Sequence, residues 1–278
     1  MCYFSDAERR KELHGAFTYE QIEQLANALF HRALKLQIGC GAEPTLYREL
    51  PELIRLGRAK GVPFISLTTN GQLLDEQRLD VLADAGLDEL TLSLHGATVS
   101  TYERMMQGAS FGRFISLLKA LSVIKQHHPH FRVRINYTIN VDNMRESLQL
   151  PQLLRGVPVN VVQLRPIQRI GNTAYQNFSV EPMLTDYDRI FPPLVKALQG
   201  QGIVCIYPTK ENLKSLLGAV DSKRELTPHQ YRELMWQNFI YCNITPVVQW
   251  YNDFNAATDT FETYCRNHNR GGYFVSSI

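Results

Sequence analysis

The sequence predicts an α/β fold built on a parallel sheet, and three observations carry that prediction. Short apolar runs alternate with amphipathic helical stretches through most of the 278 residues. The connections are short, so successive strands read as parallel units with right-handed crossovers. Polar, glycine-bearing loops follow three of the apolar runs, where α/β barrels build their active sites.

The elements follow in order. Residues 19–33 have a helical pattern, but only a polar segment, 5–15, precedes them. The first parallel unit is therefore expected to lack its opening strand. Residues 34–38 read as a strand, and 46–60 as an amphipathic helix after a loop. Residues 62–67 form the next expected strand, then a helix over 75–85 closed by Gly86. A strand over 89–94 leads to a helix over 100–125 with a break near Gly108. Residues 131–139 alternate strictly, as a strand does, before a helix over 143–154. A strand over 159–164, a helix over 185–199 and a short strand over 203–207 complete the series. Beyond residue 209 the chain is richer in Asn, Thr and aromatics and its periodicity weakens. The expected division is a domain over 1–208 and a C-terminal extension over 209–278.

Composition narrows the functional classes. Hydrophobic residues make up 44% and charged residues 20%, an ordinary globular balance. A formal net charge of +2 makes no demand for nucleic acid or an anionic membrane. No apolar run approaches the ~20 residues of a membrane span, and no secretory signal is visible. Five scattered cysteines (Cys2, Cys40, Cys205, Cys242, Cys265) suit reduced thiols and a cytoplasmic setting better than a disulfide framework.

Four segments could carry chemistry. Gly39-Cys40-Gly41-Ala42-Glu43-Pro44 follows a strand, and its glycines allow backbone to approach a ligand. Pro44 restrains Glu43 to an extended conformation and suits a helix start. The same residues also make an ordinary strand-to-helix turn. Thr68-Thr69-Asn70-Gly71 carries a strong turn signal. In Ser93-Leu94-His95-Gly96, Ser93 and His95 alternate onto one side of the strand and could both point into a barrel lumen. His95 there could be a base, a ligand or a hydrogen-bonded core histidine. In 132–140, Arg132, Arg134, Asn136, Thr138 and Asn140 share one face and Val133, Ile135, Tyr137 and Ile139 the other. Either the polar face looks into a lumen or the strand is a wet edge.

Taken in order, these loops resemble the radical SAM superfamily over about residues 1–165. Gly41-Ala42-Glu43-Pro44 matches its Gly-Gly-Glu-Pro-like loop, with Ala for the second Gly. Thr69-Asn70-Gly71 and Ser93-Leu94-His95-Gly96 match the ends of its next two strands, with His95 where Asp is usual. Tyr102-Glu103-Arg104 and Ala109-Ser110-Phe111 resemble the helix entry that follows in peptide-modifying branches. The resemblance implies a partial (βα)6 TIM-like barrel, here lacking its first strand, with a C-terminal extension. It implies a [4Fe-4S] cluster and S-adenosylmethionine (SAM) as cofactors. Thiolates hold such a cluster, and its open iron binds SAM. Reductive cleavage then gives a 5′-deoxyadenosyl radical that abstracts hydrogen from substrate inside a shielding lumen.

On this alignment Cys2 is the third cysteine of a truncated Cx3Cx2C motif and the expected metal ligand. The other two would fall before residue 1, and Cys40, on another loop, is a poor substitute. Met1, Gly41, Ala42, Glu43, Pro44, Asn70, Ser93, His95, Asn136 and Asn140 are the implied cofactor-binding residues. A flavodoxin or ferredoxin is the implied electron donor. The substrate is open, a peptide or protein being one option, with no nucleic-acid or membrane partner. Cys242 and Cys265 faintly resemble the auxiliary-cluster cysteines of SPASM or twitch domains, although two unrelated buried thiols fit as well. Cys205, on an apolar strand, reads as core. Two rival readings stay open: an iron-free barrel enzyme using Glu43 and His95, and a non-catalytic, cluster-free relic of the fold that still binds SAM.

Overall fold

The computed structural model describes residues 15–39, 41–168 and 175–220. Six parallel strands form one sheet in sequence order, hydrogen-bonded neighbour to neighbour and not closed. Helix α1 (Tyr19–Leu29) starts at a capping box in which Thr18 and Gln21 bond each other's backbone. Strand β1 (Leu36–Ile38) follows, then α2 (Leu50–Ala59), β2 (Ile65–Thr69) and α3 (Glu76–Asp84). Strand β3 (Glu89–Leu94) leads to α4 (Val99–Met105) and α5 (Phe111–His127), and then to β4 (Arg132–Ile139). The remainder is α6 (Leu150–Leu153), β5 (Val161–Pro166), α7 (Glu181–Thr185), α8 (Tyr187–Gln199), β6 (Val204–Ile206) and α9 (Lys210–Val220).

The two faces of the sheet divide as the alternation of β4 predicts. Leu90, Leu92, Leu94, Ile135, Tyr137 and Ile139 are fully buried in the main apolar cluster with Phe114, Leu117 and Leu121 of α5. The opposite face is polar in successive layers across the register. Gln37 pairs with Ser66, Ser66 with Glu89 and Glu89 with Arg132. Thr68, Thr91 and Arg134 form the next layer, and Ser93, Asn136 and Gln163 the one above it. A wet edge strand is thereby excluded for β4, which has β3 on one side and β5 on the other.

Several boundaries depart from the periodicity. The expected helix over 46–60 is a 3-10 turn at Pro44–Leu46 followed by α2, because Glu43 caps one turn and Pro51 starts the other helix. Strand β2 runs two residues further than expected, so Thr68 and Thr69 belong to it. The expected helix over 143–154 shrinks to a 3-10 turn at Glu146–Gln149 and the short α6. Asn140 and Asn143 bond nearby backbone with their side chains, which competes with helix formation. The break near Gly108 separates α4 from α5, each capped by a hydroxyl, Thr98 and Ser110. Helix α9, the described start of the expected extension, buries Leu213 and contacts α7. Among the described residues no helix is long and apolar enough to cross a membrane.

Candidate active site

The loops at the C-terminal ends of the strands form one rim, and acidic and amide side chains tie them together. At the ends of β1 and β2, the Glu43 carboxylate accepts from the Thr45 amide (3.1 Å) and hydroxyl (2.6 Å). It also accepts from the Thr69 hydroxyl (2.6 Å) and the Asn70 amide (2.9 Å). Gly39 turns this loop with φ of +85°, and a Cβ there would meet the Thr68 carbonyl and stand 2.8 Å from Pro44 Cγ. Gly41 and Ala42 are exposed beside it. Asn70 Oδ1 accepts from the Gln72 amide (2.8 Å), closing the turn that Asn-Gly predicts.

At the ends of β3 and β4, Ser93 and Asn136 are register partners on the polar face. Asn136 Oδ1 and His95 Nδ1 are both enclosed and have no hydrogen-bond partner. Burial pushes the His95 imidazole down to about 4, against a smaller opposing contribution from the Leu94 backbone. The ring is therefore neutral at neutral pH, unlike the aspartate that the family usually carries there. Its backbone is fixed by Asn143, whose Nδ2 donates to the His95 carbonyl (3.0 Å) and the Thr138 carbonyl (2.9 Å). Asn143 Oδ1 accepts from the Asn140 amide (2.8 Å), and the Asn143 carbonyl accepts from the Tyr137 hydroxyl (3.1 Å). Burial raises the Tyr137 phenol well above its ordinary range, so it stays a donor. Asn140 Oδ1 accepts from the Asp142 amide (2.9 Å), which places Asn140 within the turn.

Glu146 secures the neighbouring loop by accepting from the Ala97 and Thr98 amides and the Thr98 hydroxyl. Gln72 ties the β2 loop to α4 and α5 by donating to the Tyr102 hydroxyl (3.0 Å) and accepting from the Ser110 amide (2.7 Å). Lower on the same polar face, buried Glu89 lies 3.4 Å from Arg134, 3.6 Å from Lys35 and 3.9 Å from Arg132. One carboxylate among three cations leaves this part of the sheet net cationic.

The structure thus brings Glu43 into contact with Asn70, pairs Ser93 with Asn136, and links His95 to Asn140 through Asn143. Gly41, Ala42 and Pro44 lie on the same rim as a turn beside Glu43. Met1, Cys2, Cys40, Cys242 and Cys265 lie outside the described residues. Cys205 is half-buried in β6, and burial raises its thiol pKa. Thr45, Thr69, Asn143 and Glu146 were not singled out as site residues by the sequence. Thr45 reaches Glu43 within its own turn, whereas the partners of Thr69, Asn143 and Glu146 lie up to 49 residues away, in contacts that only the fold creates. Among the described residues no three His, Cys, Asp or Glu side chains are placed to hold a metal. At the ends of β3 and β4 the side chains that suit a polar organic cofactor are Asn136 and His95, whose enclosed atoms lack partners; Tyr47 OH and Ser66 Oγ are enclosed without partners elsewhere.

A parallel sheet with one polar face, whose strand-end loops gather on a single C-terminal rim, is the scaffold of α/β barrel-type enzymes. The family model described as the radical SAM superfamily matches residues 1–142, and the chain belongs to that superfamily. The superfamily consists of enzymes whose cofactors are a [4Fe-4S] cluster and SAM. A probable GTP 3′,8-cyclase of Saccharolobus solfataricus is 30% identical over 170 residues, 61% of this chain and 54% of that protein. A protein of the same description from Metallosphaera sedula is 30% identical over 132 residues, 47% of this chain and 40% of its own length. The chain spans about half the length of the curated relatives it matches. Among solved structures, Streptococcus suis SuiB bound to the precursor peptide SuiA superposes with a TM-score of 0.58 at 17% identity. That match covers 78% of this chain and 47% of SuiB. The structure of anSMEcpe with bound AdoMet gives 0.51 at 19% identity, covering 69% and 53%. At such identities these likenesses establish the fold.

Proposed function

We propose that the C-terminal rim binds SAM and that the chain is a radical SAM enzyme of oxidoreductase type acting on a nucleotide, with GTP the first candidate. The observation that carries the cofactor reading is the pair of enclosed, unpartnered atoms on the rim, Asn136 Oδ1 and His95 Nδ1. A buried polar atom without a partner is costly unless a ligand or water completes it. In this reading the loop at Gly41, Ala42, Glu43 and Pro44 presents backbone to the amino end of SAM. Ser93, Asn136 and the neutral His95 offer uncharged donors and acceptors to its polar groups. Asn70 and Asn140 hold their turns in place beside it. When bound, a [4Fe-4S] cluster with Cys2 as one thiolate ligand supplies the electron that turns SAM into a hydrogen-abstracting agent.

The nucleotide reading is supported by the cyclase relatives. A flavodoxin or ferredoxin is the proposed electron donor, and dithionite replaces it in the assay. A form of the protein that carries all three cysteines of the Cx3Cx2C motif is reconstituted with iron and sulfide without oxygen and given SAM, dithionite and GTP. The products are then separated by mass spectrometry. The expected outcome is 5′-deoxyadenosine together with a nucleotide product that forms only when GTP is present. Absence of both SAM binding and SAM cleavage overturns the cofactor reading. Cleavage that GTP leaves unchanged overturns the nucleotide reading and makes a peptide the next substrate to test.

A further inference from the structure

We infer that Glu43 is a positioning residue: its carboxylate fastens the loop after β1 to the end of β2, and it does not take the cofactor's ammonium group. The first half stands on geometry alone, and the second rests on the SAM-binding reading above. A carboxylate offers about four lone-pair sites. Four donors already reach Glu43: the Thr45 amide and hydroxyl and the Thr69 hydroxyl on Oε1, and the Asn70 amide on Oε2. Three of them crowd Oε1 and the Asn70 amide engages Oε2, so both oxygens already serve the fastening and an ammonium group could reach only the remaining site on Oε2.

The donors are also oriented by their surroundings. Thr69 Oγ1 accepts from the Gly71 amide (3.0 Å), which leaves the hydroxyl proton to point at Glu43. Thr45 and Thr69 are 3% and 2% exposed, so water cannot readily replace either hydroxyl. The bond from Thr69 closes 26 residues of chain. It joins a loop whose tip, Gly41 and Ala42, is exposed to the last residue of a buried strand. Among the described residues no other group of this loop hydrogen-bonds to Thr69 or Asn70 across the gap. Glu43 therefore sets where the backbone of 41–43 stands, and that backbone meets the ligand.

Two variants separate fastening from direct contact. Thr69→Val keeps the shape and the charge of Glu43 but removes the hydroxyl, and Glu43→Gln removes the charge and turns an amide donor toward Asn70. Both are tested in the full chain by equilibrium SAM binding, and Glu43→Gln also by hydrogen exchange over residues 69–72. Fastening predicts exchange about tenfold or more faster in Glu43→Gln, and SAM binding weakened by similar factors in both variants, about five- to tenfold, as expected for losing a charge-assisted hydrogen bond. Thr69→Val is read by SAM binding alone because it also strips the Gly71 amide of its acceptor. SAM affinity within twofold of wild type in Thr69→Val, with binding abolished in Glu43→Gln, shows direct contact and overturns the inference. If the wild-type chain does not bind SAM, the cofactor reading fails. Exchange then decides the fastening, and an unchanged rate in Glu43→Gln overturns it.

Discussion

Replacing Asn143 by Asp changes one NH2 group into an oxygen and leaves the side-chain shape intact, yet the structure predicts a large loss of stability. Asn143 is fully buried, and its Nδ2 lies 2.9 Å and 3.0 Å from two carbonyl oxygens, those of Thr138 and His95. Asn143→Asp removes both donors and sets an anionic oxygen against two acceptors. Each buried carbonyl left unpaired costs about 1–3 kcal/mol, and burying the charge adds to this. Partial relaxation brings the total to about 3–5 kcal/mol, or roughly 10 °C in melting temperature for a chain of this size.

The loss is also pH-dependent, with a definite sign. Burial and the facing carbonyls raise the new carboxyl's pKa in the folded state above its unfolded value. The folded variant therefore binds more protons than the unfolded one at intermediate pH, and its stability falls as pH rises. When protonated, the acid can again donate to one of the two carbonyls. Denaturant unfolding of both proteins at pH 7 and near pH 5 is the assay, with the wild type subtracted at each pH. A variant within 1 kcal/mol of wild type at pH 7, or a gap that widens on acidification, would refute the reasoning.

Two further predictions test the rim. In Gly96→Ala, the new Cβ meets backbone of α4, 2.7 Å from Thr101 C and 2.8 Å from Tyr102 Cα, so no side chain can swing away. Overpacking of this kind costs about 1–3 kcal/mol, and thermal melts should show it, with shifted or heterogeneous NMR signals from residues 94–98; an unchanged melt contradicts the contact. His95 is held down to about 4 in the folded state, below its ordinary value of 6.5. The unfolded chain thus takes up this proton first, and stability is lost as pH falls from about 6.5 to about 4. His95→Asn cannot titrate and should flatten that part of the stability profile; parallel acid losses in wild type and variant would show that His95 is solvated.

How much was legible in advance depends on the range of the interaction that decides each feature. The polar and apolar faces of β4 follow from a period of two, and Glu89-Leu90-Thr91-Leu92-Ser93-Leu94 of β3 alternates in the same way. Both are local properties of the chain. The end of β2 was misplaced because Thr68 and Thr69 look like the start of a loop, whereas pairing with Thr91 and Leu92 of β3 keeps them in the sheet. The segment after β4 looks helical by its apolar spacing. Its two asparagines divert the backbone into a turn, and their choice of partners depends on His95 in the preceding unit.

The sequence by itself determined the class of scaffold and the family, because strand–helix alternation and the ordered loop motifs are written in neighbouring residues. It also identified Gly41, Ala42, Glu43, Pro44, Ser93, His95 and Asn136 as residues of one rim. Tertiary structure alone decided what the rim residues do. Whether Glu43 is a free carboxylate or a fastened one depends on Thr69, 26 residues on. Whether His95 is charged depends on the packing that desolvates it. The physical reason is common to both: hydrogen bonding and desolvation act through space at about 3 Å, and only the folded sheet brings those groups within that distance.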